Sequence, residues 1–142
     1  MKANAVHVVE MNKVGILPLE VPEPKYDEVL IRTKSCGLCC WDSWLIRGVN
    51  APGAMPYPIG HEGAGIVEKV GEGVKGLKPG DKVFCASGSN TMMAEYITLR
   101  ADCCVKLPDD TTDWAKAVIE PNCCVVNLLY LTDIAPGDHV VL

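Results

Sequence analysis

The sequence predicts a single, mainly β domain with short helices, arranged as a compact β-barrel. Three observations lead to this class. The chain has 142 residues, the size of one domain. Up to residue 109, short β-rich segments alternate with glycine and proline turns at close spacing, as in small barrels. Helical patterning appears only after residue 110.

The predicted strands are segments rich in β-branched residues, bounded by turn signals at 71–73 and 78–81. Between the first two strands, Pro18, Pro22 and Pro24 exclude a helix and predict an extended connection. The five predicted strands span residues 5–9, 28–34, 65–71, 82–85 and 94–99.

The last third of the chain predicts helices. Residues 110–113 form an N-cap cluster, and a helix is expected over 114–120. Pro121 either ends that helix or opens the next one, because proline is tolerated in a first turn. The segment 122–131 is apolar enough to predict a buried helix.

Residues 135–138 predict a turn, and 139–142 predict the beginning of a strand. An unfinished apolar strand at the end of a domain would leave an open edge. We therefore expect residues 1–142 to be one domain of a longer protein.

The composition limits the classes of partner that we expect for this chain. A net charge of −5 argues against a broad nucleic-acid-binding face, and no stretch of 18 apolar residues predicts a membrane span. The N-terminus lacks the apolar region of a signal peptide, so we expect a cytoplasmic protein. Six of the eight cysteines form three adjacent Cys-Cys pairs. Because neighbouring residues cannot easily bridge each other, these pairs are a poor disulfide framework, which favours metal binding and buried thiols.

The strongest candidate for a metal ligand is His61, which lies between Gly60 and Glu62. Glycine permits a tight backbone turn, imidazole is a good zinc ligand, and the carboxylate can ligate or orient it. His7 and His139 lie in a strand and beside a turn, and we interpret both as ordinary structural residues.

A second signal combines Cys36, Cys39 and Asp42, because Zn²⁺ accepts sulfur, nitrogen and oxygen ligands together. The Cys-x-x-Cys spacing also fits half of a four-cysteine structural site or inert core thiols. Glu120 is a third candidate, with Cys123 one helical turn later as a possible competitor for the metal.

Together these segments resemble the zinc-containing alcohol dehydrogenases of the medium-chain dehydrogenase/reductase superfamily, and in particular the branch that includes polyol dehydrogenases. The similarity covers nearly the whole chain, in the family order. It is carried by Cys36-Gly37-x-Cys39-x-x-Asp42, Gly60-His61-Glu62-x-x-Gly65-x5-Gly71-x-x-Val74, the segments 78–83, 94–96 and 106–109, Glu120-Pro121, and 136–142.

The resemblance implies a GroES-like, partly open β-barrel, followed after residue 142 by a Rossmann domain that this sequence lacks. It implies one catalytic zinc held by Cys39, His61 and Glu120. Glu62 would be a nearby carboxylate that exchanges with the fourth ligand. Asp42 would support the site through His61.

Two positions depart from the family pattern. Trp41 occupies the place of the Ser or Thr that relays the substrate proton, and Trp44 the place of a frequent histidine. Indole offers one donor and no acceptor, so neither can shuttle a proton in that way. Both could simply be core aromatics. Our hypothesis is that the proton leaves through Glu62 or water and that Trp41 lines the substrate pocket.

Two further expectations follow from the resemblance. The four-cysteine lobe that binds a structural zinc in many relatives is missing after Cys85, which predicts one zinc site rather than two. Cys40 occupies a position that contacts the cofactor pyrophosphate in some relatives. We assign no role to five cysteines and expect most of them to be buried thiols: Cys36, Cys85, Cys103, Cys104 and Cys124.

The predicted function is thus the catalytic domain of a zinc-dependent oxidoreductase that transfers a hydride between an alcohol or polyol and NAD or NADP. The domain alone would be inactive without its nucleotide-binding partner domain. The full-length protein is expected to be a homo-oligomer. The alternative is a non-catalytic metal-binding or interaction module with a thiolate-rich structural site.

Overall fold

The computed structural model describes residues 1–86, 91–132 and 134–139. Within these residues the chain is built mainly of strands, with two α-helices, one in each half. The elements are β1 (Lys2–Glu10), β2 (Lys13–Glu20), β3 (Glu28–Cys36), α1 (Cys40–Ile46), β4 (Tyr57–Pro58), β5 (Glu62–Val70), β6 (Lys82–Ala86), β7 (Tyr96–Arg100), a 3-10 turn (Ala101–Cys103), β8 (Cys104–Lys106) and α2 (Glu120–Thr132).

The strands form two antiparallel sheets, with the orders β2-β1-β4 and β7-β3-β5-β6-β8. A bridge between Ala5 and Ala94 joins the sheets, and the Val6 N–H donates to Met93 O at 2.8 Å. In the part of the chain that the structure describes, the sheets do not close into a complete ring. The predicted mainly β fold with a partly open barrel is confirmed.

The core lies on both faces of β3, the second strand of the larger sheet. Val29 and Ile31 are buried in the main apolar cluster, while Leu30 packs on the opposite face with Ala3 and Val21. Because residues 29–31 of β3 are covered on both sides, they form a continuous apolar run rather than an alternating one. The strand continues to Cys36, where the candidate site begins.

All five predicted strands overlap observed ones, but β2 was not predicted, and its segment was interpreted as an extended connection. β2 is an edge strand that pairs only with β1, and Pro18 lies opposite Asn4. An edge strand tolerates proline because it need not donate a hydrogen bond on its open side. The short helix α1 was also missed.

The predicted helix over 114–120 is wrong. The chain makes only turns over 114–117, and Asp113 accepts hydrogen bonds from the backbone N–H groups of Ala115 and Lys116. Asp113 therefore makes the hydrogen bonds of an N-cap, but no helix follows it. The Trp114 carbonyl, which would continue a helix, instead accepts the hydroxyl of Ser35 at 2.6 Å.

The helix predicted over 122–131 is observed as α2, opened by Pro121 in its first turn, and the turn at 135–138 is present. Its predicted burial is wrong, since no residue of α2 is buried. The strand predicted at 139–142 falls largely outside the described residues. No helix among the described residues is both long and apolar enough to cross a membrane.

Candidate metal centre

The pairing of β3 with β5 brings the first two sequence motifs together. Cys36 lies opposite Gly63 in the sheet register, and the Gly37 N–H donates to the Glu62 carbonyl at 2.7 Å. The chain then turns at Cys39, the N-cap of α1. As a result, the end of one strand and the beginning of its neighbour present their side chains at the same corner of the sheet.

Three of the predicted ligands meet at this corner. The thiol of Cys39, a ring nitrogen of His61 and a carboxylate oxygen of Glu62 all lie within 4.8 Å of one another. The His61 Nε2 atom is 3.7 Å from Glu62 Oε1. Sulfur, nitrogen and oxygen donors at this spacing can converge on one divalent ion.

Asp42 fixes the geometry of this corner from behind. Its carboxylate is fully buried and accepts hydrogen bonds from the backbone N–H groups of Cys39 at 2.9 Å and Gly60 at 3.0 Å. One carboxylate therefore ties the thiol-bearing turn to the histidine-bearing turn. Removing it would leave two backbone donors without partners in a buried place.

The two ring nitrogens of His61 face different groups. Its Nδ1 atom is buried and makes no hydrogen bond, and the nearest carboxylate oxygen, Asp42 Oδ1, is 3.7 Å away. A proton on Nδ1 directed at Asp42 leaves the Nε2 lone pair facing the other two donors. That is the tautomer and the carboxylate support that a metal-ligating histidine needs. The donor set therefore fits Zn²⁺.

The pKa of the Cys39 thiol is raised. The backbone N–H of Trp41 has the largest single effect and lowers the pKa, but partial burial and hydrogen bonds to Cys40 and Glu62 together outweigh it. Burial, the largest cause, raises the pKa of Cys36 to about 12. Cys36 is therefore a protonated thiol beside the site.

Two glycines make room for these side chains. A methyl group on Gly37 would collide with the Glu62 carboxylate and approach Val118 at 3.1 Å. Gly60 has a φ of +97°, and a methyl group there would lie 2.6 Å from the Met93 backbone nitrogen. The sequence indicated the need for Gly60, whereas the role of Gly37 was missed, although its place between two cysteines was a signal.

Glu120 is not part of the three-residue group. It is the first residue of α2 and is half-buried, and the chain reaches it by way of Val118, which lies beside Gly37 and Glu62. Its helix therefore starts close to the site without placing the carboxylate at it. Cys123 is exposed and lines a separate groove with Phe84.

The remaining predicted site residues lie on α1. Cys40 is exposed, and its Sγ is 3.8 Å from that of Cys39. Trp41 and Trp44 are 38% and 44% exposed and form an edge-to-face pair with ring centroids 6.1 Å apart. The interpretation of these residues as core aromatics is therefore wrong, because an exposed pair beside the thiol contacts solvent or a ligand. The corner is flanked by an aromatic surface.

Comparison with known proteins gives this arrangement a context. A sequence model of the family described as "Alcohol dehydrogenase GroES-like domain" matches residues 25–109. An alcohol dehydrogenase of Geobacillus stearothermophilus is 33% identical over 167 aligned positions, which cover 95% of this chain and 49% of the relative. That alignment is longer than the chain, so the relative carries inserted residues that are missing here.

Two solved structures from Escherichia coli share the fold. Galactitol-1-phosphate dehydrogenase gives a TM-score of 0.80 at 28% identity, over 92% of this chain and 45% of that one. A quinone oxidoreductase solved with NADPH gives a TM-score of 0.78 at 26% identity, over 93% of this chain and 41% of that one. The chain thus spans about half the length of the alcohol dehydrogenase that it matches.

Proposed function

Because the chain belongs to the alcohol dehydrogenase GroES-like domain family, we propose that it is the zinc-binding catalytic domain of a nicotinamide-dependent alcohol or polyol dehydrogenase. The observation that carries the proposal is the convergence of Cys39, His61 and Glu62, with Asp42 buried behind them. A thiol, an imidazole and a carboxylate are the donors expected of a catalytic zinc site that keeps one position open.

In this proposal Cys39 and His61 hold the zinc ion, together with a carboxylate from Glu62 or Glu120. When bound, Zn²⁺ acts as a Lewis acid that lowers the pKa of an alcohol hydroxyl. Asp42 orients His61 through Nδ1 and holds the Cys39 turn in place.

The chain's own residues also limit the route of the substrate proton. The indole of Trp41 has no acceptor, so it cannot receive that proton. Glu62 is the acceptor that the site offers, because its carboxylate lies within the ligand group and only 7% of the residue is exposed. The exposed rings of Trp41 and Trp44 would line the approach of the substrate.

The nicotinamide would be held by a second domain of the longer protein. The helix α2 supports this, because at least half of the surface of each of its large apolar side chains is exposed, and Tyr130 is 88% exposed. The related quinone oxidoreductase binds NADPH. We therefore propose NAD or NADP as the cofactor and Cys40 as a contact to it, and a homo-oligomeric full-length protein that acts on small alcohols.

The alternative, a non-catalytic module with a thiolate-rich site, needs several thiols around one ion. Among the described residues, the group with suitable spacing contains one thiol, one imidazole and one carboxylate. This mixed set supports the catalytic interpretation.

Cobalt substitution tests the proposal directly. We expect one Co²⁺ or Zn²⁺ per chain, with a thiolate-to-cobalt charge-transfer band that disappears in Cys39→Ser and persists in Cys123→Ser. An open position predicts that an added small anion shifts the visible cobalt spectrum. A stoichiometry near two would contradict the single site, and a spectrum that no added ligand perturbs would favour the closed, non-catalytic site.

The third ligand is tested by a second set of variants. Glu62→Gln and Glu120→Gln are compared for zinc affinity, again with Cys123→Ser as the control. If Glu120 is a zinc ligand, its variant loses affinity although its carboxylate lies outside the group formed by Cys39, His61 and Glu62. A loss of zinc affinity confined to Cys123→Ser would show that the Cys123 thiol, rather than either glutamate, is the third ligand.

A further inference from the structure

A pair of thiols on the far strands of the larger sheet plays no part in the proposed site. Cys85 on β6 lies opposite Cys104 on β8, and their Sγ atoms are 4.0 Å apart. Cys85 is 1% exposed, and Cys104 is half-buried on the edge strand of the sheet. We propose that Cys85 and Cys104 are a disulfide-forming pair that a small oxidised disulfide converts into a cross-strand bridge.

The sheet register supports bridge formation at this position. The Leu107 N–H donates to the Lys82 carbonyl at 2.8 Å, so these two residues form a hydrogen-bonded pair. Hydrogen-bonded and non-hydrogen-bonded pairs alternate along an antiparallel ladder, which makes Cys85 and Cys104 a non-hydrogen-bonded pair. In such pairs the Cα atoms are about 4.5 Å apart, within the range that a disulfide spans.

The bridge needs only side-chain rotation to bring the sulfurs from 4.0 Å to bonding distance. Cys36 and Cys103 pack against the same apolar cluster as Cys85, but the thiol in contact with Cys85 is that of Cys104. The Cys103 thiol contacts the Asp102 carboxylate at 3.7 Å. Cys39 and Cys40 are adjacent in sequence, so a bridge between them would close a strained small ring.

The reaction balances as two thiol–disulfide exchanges. Cys104, the more accessible thiol, attacks one sulfur of the small disulfide and releases the first thiol. Cys85 then attacks the Cys104 sulfur and releases the second. The two cysteine sulfurs are oxidised, the small disulfide is reduced to two thiols, and these take up both cysteine protons. The hydrogen bond with Cys104, and then burial, raise the pKa of Cys85, so Cys85 is the poorer nucleophile for the first attack.

The consequence lies in the sheet. β8 is only three residues long and, among the described strands, pairs with β6 alone at the edge of the sheet. A bridge would close the loop between residues 85 and 104 covalently and raise Tm by roughly 10 °C. The proposal is independent of the zinc site and of the dehydrogenase reaction.

Mass spectrometry of the full 142-residue chain tests the pair. The chain is equilibrated in mixtures of reduced and oxidised glutathione, alkylated and digested with trypsin. Cleavage after Lys82, Arg100 and Lys106 yields the peptides 83–100 and 101–106. We expect these two peptides to be joined and lighter by two hydrogen atoms, and to separate on reduction.

Matched serine variants identify which cysteine of the peptide 101–106 forms the link. Cys103→Ser should keep the link, and Cys104→Ser should abolish it together with the rise in Tm. Cys103 and Cys104 are both half-buried, so serine at either position should disturb the fold to a similar extent. The link in the wild-type chain is measured without any substitution. Loss of the link in Cys103→Ser alone would overturn the assignment. So would a glutathione adduct on Cys104 without a link, or oxidation confined to other cysteines.

Discussion

At the scale of single residues, Gly37 controls whether Glu62 can stand in the ligand group. A methyl group on Gly37 would collide with the Glu62 carboxylate. We expect Gly37→Ala to destabilise the domain by roughly 1–3 kcal/mol through overpacking. It should also weaken zinc binding, because the carboxylate has to move. Urea unfolding and a competitive zinc titration measure the two effects.

Gly53 provides the matched control for this prediction, because a methyl group there would meet nothing within 4 Å. Gly53→Ala should change stability by less than about 0.5 kcal/mol and leave zinc affinity unaltered. Equal behaviour of the two alanine variants would show that Glu62 is not confined by Gly37.

Asp42 gives a second prediction at this scale. In Asp42→Asn one of the two backbone N–H donors faces an amide group that cannot accept from it, while His61 loses its carboxylate support. We expect a loss of stability of roughly 1–3 kcal/mol. Zinc affinity should fall roughly 10- to 100-fold. Calorimetric zinc titration of the folded variant checks the second effect.

Asp81 separates these two consequences, because it is also a buried carboxylate that accepts a backbone N–H, from Lys78 at 2.9 Å. Asp81→Asn should lower stability without changing zinc affinity. If both asparagine variants bound zinc like the wild type, Asp42 would be a purely structural residue.

At the scale of elements, what the sequence predicts depends on whether the information is local. The strands with β-branched residues between glycine turns are observed, as is the Asp113 cap. β2 escaped prediction because the tolerance of Pro18 depends on which side of the strand is open. Likewise α1, seven residues long, is too short to be stable alone and forms because Leu45 and Asp42 are buried by the rest of the fold.

The candidate site shows the same division. The residue types of Cys39, His61 and Glu62 were evident from the motifs, and the structure groups their donor atoms. The place of Glu120 was not, because it depends on the path of residues 114–119. There the Ser35 hydroxyl donates a hydrogen bond to the Trp114 carbonyl, and the chain makes turns instead of a helix.

The turn before β6 gives a pH prediction. The hydrogen bond from Lys106 at 2.9 Å, and then that from the Lys78 backbone, outweigh burial and lower the pKa of Asp81. A carboxyl whose folded-state pKa is lowered stabilises the fold above its unfolded-state pKa of about 3.9, and this contribution is lost as the pH falls further. Asp81→Asn should therefore be less stable than the wild type at pH 7.

The stability difference between Asp81→Asn and the wild type should shrink as the pH falls below about 4. Urea unfolding of both proteins at several pH values measures it. A difference that stays constant across this range would mean that the Asp81 charge does not contribute to stability.

At the scale of the whole molecule, the described chain is a β domain that carries one largely exposed apolar helix. Residues 29–31 of β3 are buried on both faces, whereas every residue of α2 is at least partly exposed, including Tyr130 at 88% and Leu131 at 75%. A helix that is apolar and exposed is stable only when another surface covers it. In the proposed dehydrogenase that surface would belong to the second domain.

This imbalance predicts how the 142-residue chain behaves in solution. With no second domain present, α2 should drive concentration-dependent self-association, which sedimentation velocity detects. The double variant Tyr130→Asp with Leu131→Glu should shift the chain towards monomer without lowering its unfolding midpoint, because neither side chain is buried. Ile16→Glu is the matched control, since Ile16 is 72% exposed but lies on β2. If Ile16→Glu, rather than the double variant, abolished self-association, the contact surface would be the β2 edge.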